Sequence, residues 1–391
     1  MKELVNKQLP ALAILILGVI FLAFVCLFDW DSINSYEAYN TTSTTYVRGR
    51  VISVESEDLE KYKYDEQLYL GEQELVVTLL GGEKKGETIE LTNYLTKIHS
   101  IKVTDGSVII VCVDAPESAD PYYTVFGYDR SIPLFLLIIA FAAVMLLVAK
   151  LKGLRALLGV AYSLALILMF MMQAIYHGFH PAAITLITAL IASGVSLLLL
   201  NGYSRRTAVG VLSTLCGLAV TALVFLVFSQ LLHLSGYNLN TIETLLLVEQ
   251  TTGMGIRWLL MAAVLISALG AVMDVAVSLA ASMEELSVVN PTLGRQQLFS
   301  SGMNIGKDMI GTMSNTLIMA YTGGALDTML CLLAYGYSPL QLLSSDYLSI
   351  VLTQGLCATM GVVLTVPVTA AIASFFCAQA KTSVRRMEHP K

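Results

Sequence analysis

Long apolar runs, separated by short polar segments, make up most of this chain. A helix needs about 20 apolar residues to cross the hydrocarbon of a bilayer, and eight runs come near that length. They cover approximately residues 10–28, 131–149, 155–176, 181–200, 207–232, 257–281, 309–335 and 347–376. The pattern predicts an α-helical polytopic membrane protein with about eight transmembrane helices.

The region between the first two runs, residues 29–130, has a different pattern. Short segments rich in Val and Ile are separated by Gly, Asp and Lys, as strands are separated by turns. The segments are TYVRGRVISVES, QELVVTLLGG, GETIELTNYL and GSVIIVCVDA. Gly81-Gly82 and Asp105-Gly106 are typical of tight turns. Four or five such strands predict a small all-β, barrel-like extracytoplasmic domain of OB-like form, inserted after the first helix.

Composition supports a membrane protein and separates the two regions. Hydrophobic residues are 56% of the 391 residues and charged residues 13%, so a soluble fold of this size could not cover itself with polar surface. Residues 29–130 contain 19 acidic and 9 basic side chains. This excess of negative charge argues against nucleic acid as a partner of that domain and against its docking on anionic lipid.

The distribution of Lys and Arg predicts the orientation. With the amino terminus inside, thirteen Lys and Arg residues lie in the predicted cytoplasmic segments, whereas the short outer loops contain only Arg257. Cytoplasmic loops are enriched in these residues, so both termini of this cell-membrane protein are expected in the cytoplasm. The predicted divisions are residues 1–28 with the first helix, the β domain at 29–130, a bundle of seven helices at 131–380 and a basic cytoplasmic tail at 381–391.

An acidic residue, Asp274, lies within the sixth predicted span. A carboxylate at the centre of a membrane costs roughly 2.5–3.5 kcal/mol on insertion scales, and no basic residue lies within a helical turn of it. Helical spacing places it on one face with other polar residues. These are Ser267, Ser278, Ser282 and Glu285. The stripe is expected to face the inside of the bundle and to serve a function.

The seventh span carries a second polar face. Its members follow steps of four and three: Asp308, Thr312, Asn315, Met319 and Thr322. Asp327 follows the pair Gly323-Gly324, where a kink or an unwound turn is plausible. Two alternatives stay open, because Asp308 could cap this helix at its amino terminus and Asn315 and Thr312 could simply join helices.

Spans six and seven run antiparallel and meet at the cytoplasmic loop, residues 282–307. Asp274 and Asn315 each lie about seven residues from it, which is roughly 10 Å inside the cytoplasmic edge. The spacing predicts an ion- or proton-coupling site of Asp274, Asn315, Thr312 and Ser278, with Asp308 and Asp327 as further candidates. The sequence of this loop allows two interpretations. It could form a short amphipathic helix after Asn290-Pro291 followed by a flexible segment at 300–306, or it could be a plain connector.

No enzyme signature occurs along the chain. GxSxG, HExxH, a phosphate loop and a dinucleotide fingerprint are all absent from the sequence. Asp274 and Asp327 are expected in opposite halves of the membrane, which argues against two aspartates sharing a proton. No CxxC or Cys/His spacing indicates a metal site or a disulfide framework. The chain is therefore expected to have no enzymatic activity, no metal and no cofactor.

Two sequence runs and the order of the regions carry a resemblance to a known family. The runs are GAVMDVAVSLAASMEEL and SGMNIGKDMIGTMSNTLIMAYTGG, and the order is one span, a β-rich domain and a block of spans. From about residue 47 to residue 374 the chain closely resembles the YibE/F family of bacterial integral membrane proteins. The resemblance implies a multi-pass membrane protein without implying a particular activity.

A more distant analogy links Asp274 to proton-driven membrane proteins. In position it is similar to the intramembrane Asp that passes protons in half of an RND-type permease or of the SecD/SecF export partner. The predicted barrel differs from the ferredoxin-like module of those proteins, and eight spans differ from their six.

Two functional hypotheses follow. The first is a secondary permease or ion/proton-coupled transporter in the lipid bilayer, acting on a small ion or solute through Asp274. The second is a non-transporting membrane scaffold or sensor whose extracytoplasmic domain binds an envelope partner. Neither hypothesis involves nucleic acid, and the sequence predicts no oligomeric state.

Overall fold

The computed structural model describes residues 16–30, 43–65, 67–116, 120–236 and 242–388. The chain forms two compact units. The β unit consists of Glu37–Leu147, and the helical unit consists of Met1–Tyr36 together with Val148–Lys391.

The β unit contains a five-stranded antiparallel sheet with the strand order β3-β2-β1-β4-β5. The strands are β1 Thr44–Lys61, β2 Tyr69–Leu79, β3 Thr88–Leu95, β4 Val108–Asp114 and β5 Tyr122–Tyr128. All four predicted strand segments lie in this sheet, and the segment YYTVFGY supplies the fifth strand. No ladder joins the edge strands β3 and β5 in the described residues, so the sheet is a half-barrel and not a closed barrel.

The curvature of this sheet follows from its sequence. Register shifts between Val51 and Ser53 and between Val54 and Ser56 bulge the long strand β1, and bulges bend a strand and increase its twist. One face then closes over a core in which Val77 and Ile109 are fully buried. Gly82 and Gly106 have positive φ angles of 76° and 81°, which confirms the turns predicted at these positions.

The helical unit and the segment that leads into it contain eleven α-helices in the described residues. They are α1 Ile16–Leu27, α2 Ser131–Ala165, α3 Met172–Tyr176, α4 Pro181–Asn201, α5 Arg205–Leu231, α6 Ile242–Thr252, α7 Ile256–Val289, α8 Arg295–Gly324, α9 Leu326–Ala334, α10 Pro339–Leu343 and α11 Asp346–Glu388. A π-helical turn, Leu166–Met171, joins α2 to α3. The boundary between the two units falls within α2.

Five helices in the described residues are long and apolar enough to cross a membrane, or six when α8 and α9 count as one bent span. One of the five, Ser131–Tyr176, has 46 residues, more than twice the number that a span needs. Its backbone leaves helical geometry at Lys150, with φ 49° and ψ −129°, between two predicted spans. Part of the first predicted span lies outside the described residues, so the number eight stays a prediction.

The core of the helical unit depends on close contact between α5 and α11. A Cβ atom on Gly361 would overlap Thr221, and one on Gly217 would overlap Thr365. Each threonine donates its hydroxyl to the glycine four residues earlier in its own helix, Thr221 to Gly217 O at 2.9 Å and Thr365 to Gly361 O at 2.7 Å. The two helices therefore interlock through small residues, as membrane helices commonly do.

The structure corrects the boundaries predicted for spans six and seven. α7 extends to Val289 and α8 begins at Arg295, so the connection is residues 290–294 and not 282–307. The helix predicted after Asn290-Pro291 is present, but it is the first part of α8 and not a separate short helix. Leu298 is fully buried there. The flexible segment predicted at 300–306 is wrong, because these residues are helical. Polar residues mark the end of an apolar run, but a helix continues while its backbone and packing allow.

Candidate ion site

Asp274 lies near the middle of α7, on the face that points away from the core. Ser267, Gly270, Ser278 and Glu285 are exposed on the same face, whereas Val272 and Leu279 on the opposite face are fully buried. No hydrogen bond or ion pair joins Asp274 to another described residue. The stripe was expected inside the bundle, but α7 buries its aliphatic face and leaves the polar face on the surface of the single chain.

The polar face of α8 is exposed in the same way. Asp308, Thr312, Asn315 and Thr322 are exposed, and Met319 is 61% exposed. The opposite side of α8 packs through its glycines. A Cβ atom on Gly306 would overlap Val366 of α11, and one on Gly302 would lie 2.6 Å from Met283 Sδ of α7. Small residues thus hold α8 against the core, and polar residues cover its outer side.

The two remaining candidate residues, Asp308 and Asp327, lie in different helices of the bent pair α8 and α9. Asp308 is well inside α8, which begins at Arg295 after the N-cap Gly294, so the prediction that Asp308 caps the seventh helix is wrong. Asp327 belongs to the first turn of α9. α9 is bent by 54° from α8, and this break directly after Gly323-Gly324 confirms the predicted kink.

Two contacts fix the register between α7 and α8. Near the connection at residues 290–294, Gly302 packs against Met283. Further along, the hydroxyl of Tyr321 lies beside that of Ser267. Asp274 follows Ser267 by seven residues, and Ser314 precedes Tyr321 by seven. Because the helices are antiparallel and rise by 1.5 Å per residue, the first contact puts Asp274 level with Gly311 and the second puts it level with Ser314. Asp274 therefore lies at about the level of Thr312, within about one helical turn of Asn315.

The polar groups at this level suit a small cation. The Thr312 hydroxyl donates to Met309 O at 3.0 Å, and the Ser267 hydroxyl donates to Ala263 O. Because both hydroxyl hydrogens are used in this way, only the oxygen lone pairs of these two side chains remain to bind a ligand. The described residues contain no group of three or more His, Cys, Asp or Glu that could hold a metal ion. One carboxylate with hydroxyl and amide oxygens fits a proton or a monovalent cation better than a transition metal.

The structure adds two residues that the sequence analysis missed. Ser314 Oγ and Tyr321 Oη are buried and have no hydrogen-bond partner in the described residues. Tyr321 packs on α11, where a Cβ atom on Gly355 would lie 3.3 Å from Tyr321 Cβ. Both residues lie on the flank of α8, beside the predicted polar face. Polar residues spaced by four and three positions identify one face of a helix. Only the position of the neighbouring helix shows which residues beside that face it covers.

The comparisons with known proteins concern the helical part of the chain. A family model described as YibE/F-like protein matches residues 137–379. The match contains all six candidate residues and begins after the five strands. No match was found among curated proteins or among solved structures.

Proposed function

The chain belongs to the YibE/F family, and we propose that it is a multi-pass transporter of the cell membrane in which Asp274 binds a proton or another small cation. In this proposal both termini lie in the cytoplasm and the β unit lies outside. Asn315, Thr312, Ser278 and the newly found Ser314 surround the bound ion. The protein carries out no catalytic reaction and has no nucleic-acid partner.

The position of Asp274 is the observation that carries this proposal. It lies near the middle of a 34-residue apolar helix, with no ion pair to any described residue. An Asn or Ser at this position would join helices equally well at a lower insertion cost. A carboxylate adds only one property that the neutral residues lack, which is a charge that a proton or a cation can neutralise.

Coupling requires that the ion favour one of two arrangements of the helices, since a ligand shifts an equilibrium only by its difference in affinity. The bend between α8 and α9 provides a place where the arrangement can change. Gly323 and Gly324 precede it, and a Cβ atom on either would meet nothing within 4 Å. Neutralisation of Asp274 next to α8 is proposed to change how α7 and α8 pack.

A flux measurement tests the role of Asp274. Purified protein is placed in vesicles with a pH-sensitive dye inside, and gradients of H⁺, Na⁺ or K⁺ are imposed. Wild-type vesicles should move protons in response to one of these gradients. Asp274→Asn should lose this flux and its pH dependence while keeping the melting temperature, and Asp274→Glu should keep part of the flux because it retains the charge. The matched control is Asp346→Asn, which neutralises an acidic residue at the start of α11.

A chemical measurement supports the flux experiment. A hydrophobic carbodiimide modifies carboxyl groups shielded from water, and mass spectrometry maps the modified residue. The cation that drives flux should slow modification of Asp274. The proposal is wrong if Asp274→Asn retains full flux, or if wild-type vesicles leak no faster than protein-free vesicles and no cation protects Asp274.

One observation favours the alternative function, a membrane scaffold or sensor. The half-barrel has a groove of about 350 Å³ lined by acidic and aromatic residues. They include Glu55, Glu74, Glu90, Tyr94, Tyr122 and Tyr123. Such a surface suits a cationic partner in the envelope. Deletion of residues 40–125 would then abolish function while Asp274→Asn was tolerated, which is the reverse of the order that the transporter predicts.

A further inference from the structure

The exposed polar residues of α7 and α8 form one surface, called here the α7–α8 polar face. It consists of Ser267, Gly270, Asp274 and Ser278 of α7 and Asp308, Gly311, Thr312, Asn315 and Thr322 of α8, and all of them are exposed. In hydrocarbon, an Asp and an Asn on a lipid-facing surface are costly, and such residues normally face other protein or a water-filled cavity. Some other group must therefore cover this face.

The glycines show that the cover is a closely packed helix. In the core, Gly217, Gly302, Gly306 and Gly361 each receive a side chain from a neighbouring helix. Gly270 and Gly311 on the α7–α8 polar face have nothing within 4 Å of a built Cβ atom. In membranes, small residues mark the surfaces where helices approach one another closely. On this face the small residues are present, and no helix of the described residues approaches them.

Two other apolar segments of the chain have the wrong chemistry to be that helix. Residues 133–149 contain no hydrogen-bonding side chain, and in Ile16–Leu27 the only polar atom is the sulfur of Cys26. Neither segment can donate a hydrogen bond of normal strength to the Asp274 carboxylate. A second copy of this chain can, because its polar face carries both the acceptor Asp274 and the amide donor Asn315.

We propose that two copies of the chain associate through the α7–α8 polar face, so that Asn315 and Thr312 of one copy complete the Asp274 site of the other. Both copies insert in the same orientation, and a two-fold axis normal to the membrane leaves the depth of each residue unchanged. Asp274 lies at about the depth of Thr312 and within about one helical turn of Asn315, as the register of α7 and α8 shows. The symmetry therefore brings carboxylate and amide together twice, which is the property of an isologous interface.

The size of the face agrees with a specific dimer. From Ser267 to Glu285, α7 covers roughly 27 Å, and two helices side by side present a surface roughly 20 Å wide. Each copy would bury roughly 500 Å², or roughly 1,000 Å² in total, which is the lower limit for a specific interface. The inference deepens the proposed function, and rests on it only for the role of Asp274 as an ion site.

Cross-linking in membranes tests the contact without any transport assay. The six free cysteines are replaced, and two differently tagged copies are co-expressed, one with Ser278→Cys and the other with Thr312→Cys. A short bis-maleimide should give a product that carries both tags. The control pair is Leu212→Cys and Leu223→Cys, which are exposed on α5 and should give no such product. The proposal is overturned if the α7–α8 pair gives no product that carries both tags.

The mass of the purified protein provides a second measurement. Light scattering in detergent should report two chains for the wild type and one chain for Gly270→Leu. Because Gly270 has open space around it in the single chain, the variant should stay folded and monodisperse and lose only the stability that association adds. A wild type that is monomeric, or a Gly270→Leu variant that stays dimeric, contradicts the interface. A dimer without flux would leave this inference standing and remove the proposed function.

Discussion

The contact between α5 and α11 and the outer face of α7 and α8 use the same kinds of residues with opposite results. Between α5 and α11, glycine and threonine meet across the helices and are fully enclosed, as in the pairs Gly217–Thr365 and Gly361–Thr221. On α7 and α8, Gly270, Gly311 and Thr312 are exposed. Small and polar residues therefore show that a helix face seeks a close neighbour, but they do not show whether that neighbour is in the same chain.

The difference lies in the ionisable group. The α5–α11 contact contains hydroxyls that can donate to the backbone of their own helix, as Thr221 does at 2.9 Å. Two helices of one chain are therefore enough to provide the hydrogen bonds of its polar groups. The outer face contains the carboxylate of Asp274, which accepts hydrogen bonds and cannot use the carbonyl groups of its own helix. Such a group needs a donor or a cation from elsewhere. The enclosed face serves stability, and the open face is the one left for function.

The strongest test of this comparison replaces one glycine in each region. In Gly361→Val the new side chain overlaps Thr221, and the helices must move apart. Overpacking a core costs typically about 1–3 kcal/mol and occasionally more, so this variant should melt far below the wild type or fail to be monodisperse. Gly270→Val enters open space and should leave the melting temperature of the single chain unchanged. Equal effects of the two variants would remove the distinction between the regions.

A smaller effect on stability should distinguish two buried hydroxyl groups of α5, those of Thr221 and Ser213. Thr221 fills the space against Gly361 and bonds its own helix, so Thr221→Ala should lower stability by about 1–2 kcal/mol. Ser213 is also fully buried, but its hydroxyl has no partner among the described residues. Ser213→Ala should therefore be neutral or stabilising. Thermal unfolding followed by intrinsic fluorescence compares the two, and a destabilised Ser213→Ala would indicate a hydrogen bond to an ordered water.

The smallest effect is expected at the end of the bundle where α5 begins, because water screens exposed charges there. Arg206 of α5 forms an ion pair with Glu284 of α7, and the side chains are 42% and 30% exposed. Exposed ion pairs contribute about 0.2–1 kcal/mol. A double-mutant cycle with Arg206→Gln and Glu284→Gln should give a coupling in this range that falls as salt rises. A much larger, salt-insensitive coupling would mean that this end of the bundle is closed to water.

Much of the fold could be predicted from local pattern. The four β segments and the two glycine turns lie where periodicity and turn chemistry placed them. The break after Gly323-Gly324 is also as predicted, because two adjacent glycines weaken a helix wherever it lies. The ends of α7 and α8 were not predictable in this way. Asp308 looked like a cap because the apolar run begins beside it, whereas packing through Gly302 and Gly306 continues the helix over four further turns.

The sequence by itself determined which residues share a face. Asp274 lies with Ser267 and Ser278, and Asn315 lies with Thr312, because the helical repeat is a local property of the backbone. Only the tertiary structure decided where those faces point. α7 gains most by burying its continuous aliphatic side against the core, so the polar side remains outside, beside the polar side of α8 and open to a partner. Burial is a property of the whole packed chain, and no local pattern contains it.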